Sequence, residues 1–175
     1  MNFKQKLSAV KAFVFDMDGV LTDGSLTIIP DMEYVRVMNI KDGYALQLAV
    51  KTGYNVAVIS GGQSEAVKQR LHKLGVLDVY MGVSNKEEIL ADYCNKNGLE
   101  PSELMYMGDD MPDYLVMQKV GVPVCPADAC QDILDISDYV SPRKGGKGCA
   151  RDVIEQVLRL QGNWYGRDHV LVRSR

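Results

Sequence analysis

Two aspartates one residue apart, Asp16 and Asp18, leave the short apolar run Ala12–Phe15 and are followed at once by Gly19. A run of that length bounded by a turn signal reads as a buried strand, so both carboxylates belong to a strand end. In an open parallel sheet the carboxyl ends of the strands face the crevice where ligands bind. Two acids placed there can divide a reaction between them. One attacks as a carboxylate nucleophile; the other gives a proton to the leaving group and takes one from water. An aspartate-rich turn is the plain alternative, because Asp and Gly also close strands for purely local reasons.

Three further strand ends carry residues of suggestive type. After Asn55–Ile59 the chain reads Ser60-Gly61-Gly62 before a helical pattern over 64–74, which offers a hydroxyl, free backbone N–H groups and a helix N-terminus. Those are the parts from which phosphate sites are built. Lys86 follows a strand at 76–81 and opens a helix stopped at Asn97-Gly98; a solvated lysine is its default reading. Leu104–Met107 is followed by Gly108-Asp109-Asp110-Met111-Pro112-Asp113. Five carboxylates (Asp16, Asp18, Asp109, Asp110 and Asp113) against one lysine would repel an anionic ligand unaided. A hard divalent cation is implied, and Mg²⁺ suits a few carboxylates combined with a substrate phosphate.

The elements that must position these residues alternate in type along the whole chain. Strands at Val122–Cys125 and 138–140 continue the series, with helices over 114–120, 128–136 and Cys149–Leu160 between and after them. Alternation of this kind predicts an α/β fold: a Rossmann-like, three-layer arrangement with a parallel sheet covered on both faces. Two runs rich in Ile, Val and Tyr, 25–29 and 33–40, flank Pro30-Asp31-Met32 and predict a β-hairpin that could form a flap beside the paired acids. Asp42 is expected to cap the next helix, which Gly53 ends. The basic, glycine-rich loop Arg143-Lys144-Gly145-Gly146-Lys147-Gly148 could meet a phosphate or an acidic sugar. The reading is a single domain over 1–162 and a tail over 163–175.

Composition narrows the classes. The chain has 175 residues, 25% charged and 46% hydrophobic, with 20 basic and 23 acidic side chains giving a net charge of −3. This is an ordinary globular composition and carries no nucleic-acid signature. No apolar run approaches a membrane span, and residues 1–11 lack the apolar core of a signal peptide, so a cytoplasmic location is expected. Four scattered cysteines without metal-ligand spacing are read as reduced structural thiols.

The motifs Asp16-Met17-Asp18-Gly19-Val20-Leu21-Thr22-Asp23, Ser60, Lys86 and Gly108-Asp109-Asp110-Met111-Pro112-Asp113 resemble, in order, the four motifs of the haloacid dehalogenase superfamily. That resemblance implies Asp16 as nucleophile, Asp18 as general acid/base, and Ser60, Gly61 and Lys86 as phosphate contacts. It further implies Mg²⁺ held by Asp16, Asp109 and the Asp18 backbone carbonyl, with Asp110 and Asp113 in support. The short spacings between motifs leave no room for an inserted cap domain. Among capless members the chain is similar to the 3-deoxy-D-manno-octulosonate 8-phosphate phosphatases, through Asp42-Gly43-Tyr44, Arg70 near Leu74-Gly75, Gly82-Val83-Ser84-Asn85-Lys86 and Gly145-Gly146-Lys147-Gly148. The likeness implies a sugar-phosphate substrate contacted by Asp23, Arg70 and Lys147. It also implies a homotetramer whose neighbouring subunits cover the open site with hairpin and tail, and a place in lipopolysaccharide biosynthesis. Ser60-Gly61-Gly62-Gln63 stands where that family has Thr-Gly-Arg, which keeps nine-carbon keto-sugar acid 9-phosphates open as substrates. A receiver domain would carry its phosphoacceptor on a middle strand rather than after the first. A catalytically silent oligomerisation module would not need the complete acid, hydroxyl and lysine set.

Overall fold

The structure is a computed structural model that describes residues 2–31 and 33–164. The sheet contains β1 (Ala12–Phe15), β2 (Asn55–Ile59), β3 (Asp78–Tyr80), β4 (Leu104–Met107), β5 (Val122–Cys125) and β6 (Tyr139–Val140). All pairings are parallel, in the order β3-β2-β1-β4-β5-β6. The order reverses between β1 and β4, which is where a doubly wound sheet opens its ligand crevice. Register brings the strand ends level: Phe15 lies opposite both Val58 and Met107. Asp16, Ser60 and Asp109 therefore leave the sheet along one edge.

Side chains of β1 alternate between two apolar layers, as the pleat requires. Phe13 and Phe15 pack with residues of α1 (Phe3–Ser8), α2 (Ile40–Lys51), α3 (Glu65–Lys73) and α7 (Cys149–Leu160). Ala12 and Val14 face the opposite layer, with α4 (Lys86–Asn97), α5 (Tyr114–Met117) and α6 (Gln131–Ile136). The three-layer arrangement read from the alternation is thus present, and among the described residues no second domain stands over the crevice. Cys94, Cys125 and Cys149 are buried free thiols, as expected. Among the described residues no helix is long and apolar enough to cross a membrane.

Four local readings change. Among the described residues the flap over 25–39 pairs only at Thr27 and Val35, so it is an arm with one bridge rather than a hairpin ladder. No layer lies beneath most of its apolar side chains; Ile28 and Val37 are each 71% exposed. Asn39, not Asp42, caps α2, accepting from the Lys41 N–H. Asp42 instead reaches across to cap α7, accepting from the Gly148 and Arg151 N–H groups at 3.2 and 2.7 Å. A carboxylate on one helix thus satisfies the orphan donors of another. Helices α5 and α6 are shorter than the apolar pattern suggests, because Asp110 and Pro112 set a separate turn over Met111–Asp113 and helix α6 begins only after Cys130. Helix α1, capped by Asn2, was not foreseen. Met32 and the tail from 165 onward lie outside the described residues.

Candidate active site

The peptide after β1 is held in the sheet by the Asp16 N–H, which donates to Met107 O, and the chain then turns sharply through Gly19 at φ 94°. That positive φ is one reason for glycine. The other is steric: a Cβ at Gly19 would lie 2.0 Å from Asp109 Oδ2, so the absence of a side chain lets the β4 acid approach the β1 acids. Loop 108–113 folds back on itself in the same way. Asp113 packs on Gly108, where a Cβ would lie 2.5 Å from that of Asp113, and its Oδ2 accepts from the Asp109 N–H.

These turns bring Asp16, Asp109 and Asp113 together, with one carboxylate oxygen of each within 4.8 Å of the others. Lys86 Nζ bridges Asp16 Oδ1 and Asp113 Oδ1, 2.7 Å from each, and the Tyr106 hydroxyl donates to Asp113 Oδ1 at 2.7 Å. Lys86 is buried, not solvated. The cation disfavoured at a helix start is offset by two carboxylates facing it across the crevice. Burial lowers its proton affinity, but Asp16 and Asp113 more than compensate and the net shift is upward.

The acids respond in the opposite sense to ordinary surface aspartates. Burial, then Asp113, pushes Asp16 up to about 6 despite Lys86. Burial, then Asp16, Asp113 and Asp110, pushes Asp109 up to about 8. Three converging carboxylates, with Asp16 and Asp109 among them resisting ionisation, fit a hard divalent cation, which would relieve that repulsion. Asp16 and Asp109, with the Asp18 carbonyl, are the group that the motif pattern assigns to it. The geometry adds Asp113 to the converging carboxylates, although this acid is already engaged by Lys86 and Tyr106.

Opposite the acids, Ser60 Oγ accepts from the Gly62 N–H at 3.0 Å, which leaves its own proton for an acceptor in the crevice. The loop after β2 is tied to the loop after β3 by Gly82 N–H to Gly62 O and Val83 N–H to Ser60 O. Ser60, Gly61, Lys86 and Asp110 line one cavity of about 580 Å³ with the three converging acids and Asp18. The arrangement can seat a tetrahedral anion between a nucleophile, a cation site and hydrogen-bond donors.

A model of the haloacid dehalogenase-like hydrolases matches residues 72–151. The 3-deoxy-D-manno-octulosonate 8-phosphate phosphatase of Salmonella typhi is 35% identical over 157 residues, covering 90% of this chain and 84% of that one. The chain belongs to this phosphatase family. The crystal structure of the family member from Moraxella catarrhalis, in complex with magnesium ion, phosphate ion and KDO, superposes with a TM-score of 0.89. It shares 30% identity and covers 98% of this chain and 97% of that one. The cobalt-bound member from Haemophilus influenzae gives 0.88 at 31% identity, over 91% and 94% of the two chains.

Within this phosphatase family frame, two of the three expected substrate contacts, Arg70 and Lys147, line cavities other than that of the acids. Arg70 lines a separate cavity with Glu33 and Tyr34, and Lys147 lines another with Lys41, Arg143 and Arg151. Asp23 pairs with Lys147 at 3.3 Å. The sequence reading missed Arg36 altogether. From the flap, its Nε lies 2.8 Å from Asp18 Oδ1 and its Nη2 3.0 Å from Asp18 Oδ2, and its side chain is only 4% exposed. No local signal pointed to it. Alternation would have turned the apolar Val35 and Val37 inward and Arg36 outward; the structure has the reverse, with the valines 45% and 71% exposed. Gly62 makes room for this pair; a Cβ there would lie 2.9 Å from Asp18 Oδ2 and 3.2 Å from Arg36 Nη2.

Proposed function

We propose that the chain is an Mg²⁺-dependent phosphomonoesterase that converts 3-deoxy-D-manno-octulosonate 8-phosphate to the free sugar acid and phosphate through an aspartyl-phosphate intermediate. The observation that carries this reading is the bridging of Asp16 and Asp113 by Lys86, beside Asp109, at the point where the strand order reverses. The names of the family relatives supply the substrate.

In this reading an Asp16 carboxylate oxygen bonds to phosphorus while the ester P–O bond breaks. The bonding pair passes to the sugar oxygen, which takes a proton from Asp18. Asp18, now ionised, removes a proton from water as the water oxygen attacks phosphorus, and the Asp16 carboxylate is released with phosphate. Lys86, the Ser60 hydroxyl and the Gly61 N–H orient the phosphoryl oxygens. Asp16, Asp109 and the Asp18 carbonyl would hold Mg²⁺, which supplies charge neutralisation when bound. Asp110 and Asp113 support the loop, Asp113 by fixing Lys86. Asp23, Arg70 and Lys147 contact the sugar only if a second subunit or a flap movement brings them to it. A homotetramer in which neighbours cover the crevice accords with the apolar flap, and a cytoplasmic location with the composition.

A second substrate, a nine-carbon keto-sugar acid 9-phosphate, is kept as the alternative by the loop Ser60-Gly61-Gly62-Gln63. Phosphate release with Mg²⁺, comparing kcat/KM for the two esters, decides between them. Asp16→Asn should abolish turnover of either while the fold persists. Retained turnover in that variant would remove the mechanism.

A further inference from the structure

We propose that Arg36 is a positioning residue: riding on the flap, it presents Asp18 to the leaving group through Oδ2, so that protonation of the departing alcohol depends on a docked flap. The inference rests on the phosphatase reading above and concerns how its proton donor is aimed.

The hydrogen bonds on Asp18 are unequal between its two oxygens. Oδ1 accepts from Arg36 Nε at 2.8 Å and from Thr22 Oγ1 at 3.1 Å. Oδ2 accepts from Arg36 Nη2 at 3.0 Å and shares the Nε proton at 3.1 Å. Each oxygen thus has two donors, but the shared Nε proton lies nearer Oδ1, which leaves Oδ2 the more weakly held of the two. In the acid form Oδ1 can remain the carbonyl, still accepting from Thr22 and Arg36, while Oδ2 carries the proton. Oδ2 is also the oxygen beside Gly62, at the edge of the cavity that holds Asp16 and Ser60. A flexible aspartate would spread its proton over both oxygens and several rotamers; a planar guanidinium fork removes that freedom.

The same guanidinium ties down the flap. Arg36 Nη1 donates to Tyr34 O within the flap and to Gln63 O in the loop after β2. Glu33 accepts from Ser64 Oγ nearby, a second tether between flap and α3. Arg36 therefore links three segments: the flap, the Ser60 loop and the acid turn after β1. Lifting the flap must break the fork on Asp18, and docking it must restore the fork.

The test separates this role from a structural one by the leaving group. The kcat/KM of an aspartyl-phosphate enzyme covers the steps through departure of the alcohol, where an alkyl ester needs protonation and p-nitrophenyl phosphate, whose phenolate is a stable anion, does not. General acid catalysis contributes roughly 10²–10⁴-fold. Arg36→Gln should therefore lower kcat/KM for 3-deoxy-D-manno-octulosonate 8-phosphate by at least about tenfold and that for p-nitrophenyl phosphate by less than about twofold. Arg36→Lys keeps the charge but loses the fork, and should show the same bias at smaller size. It also carries the test if the Gln variant unfolds, with thermal melting as the check on fold. Equal losses on both esters, or no loss on either, would overturn the proposal. If the unmodified chain hydrolyses neither ester with Mg²⁺, the phosphatase reading fails first, and the inference goes with it.

Discussion

Asp16 and Asp109 keep their protons to higher pH than free aspartates because burial penalises ionisation, reinforced by Asp113 at Asp16 and by Asp16, Asp113 and Asp110 at Asp109. An acid whose folded value is raised lends stability that is fully present below its unfolded value and is lost as pH rises through the folded one. For Asp109 that window runs from the ordinary 3.8 to about 8, and for Asp16 from 3.8 to about 6. In cation-free buffer the free energy of unfolding should therefore decline across this range, as read by urea titration at several pH values. Saturating Mg²⁺ should abolish the decline, because the ion favours the ionised acids and binds only the folded chain. A flat profile without the cation would contradict the crowding of these acids. Lys86 shows why the residue scale was only partly legible in the sequence. Its position at a helix start was visible, but its bridge between Asp16 and Asp113 joins residues 70 and 27 positions away, and no local pattern records that.

At the scale of elements, the glycine-rich loop before α7 acts as a mould for the acid turn. A Cβ on Gly145 would lie 2.0 Å from Gly19 O, and Gly146 N–H donates to Val20 O. Backbone meets backbone at this contact, so neither side can yield by a rotamer change. Gly145→Ala should cost ~1–3 kcal/mol of stability. It should also lower kcat/KM by at least about tenfold, a misplacement effect on the Gly19 turn and thus on Asp109. Wild-type kinetics in that variant would show that the loop does not shape the site. The strand ends and the bounds of α3, α4 and α7 were readable because period and capping residues are local signals; Ser64 and Asn85 cap α3 and α4 as ordinary sequence signs suggest. The flap was not, since its alternating Ile, Val and Tyr residues resemble a paired strand, yet they find no layer to pack on. Asp42 failed for a related reason: its carboxylate sits in the first turn of one helix while satisfying the N-terminus of another.

For the whole molecule, the exposed arm is the feature that one chain alone does not explain. Ile28, Val37 and Ile40 are each 71% or more exposed, on a segment whose inward residue Arg36 touches the acid site. Apolar side chains exposed together on one segment are what a contact with another protein surface would cover. If that surface is a second copy, Val37→Lys should shift the chain to a monomer in light scattering and lower activity, because the flap would lose what holds it down. An unchanged assembly would place the interface elsewhere. At the same end, Trp164 is packed under the Arg151 and Arg159 guanidinium groups at 5.3 and 5.5 Å, so the chain is anchored where the tail begins. The central claim is that Asp16 is the nucleophile of a covalent phosphoryl transfer. Acid quenching during turnover of 3-deoxy-D-manno-octulosonate 8-phosphate carrying radiolabelled phosphate tests it directly. Label should remain on the protein, be released by hydroxylamine, and be missing in Asp16→Asn; turnover with no protein-bound label, or label that persists in the variant, would contradict the account.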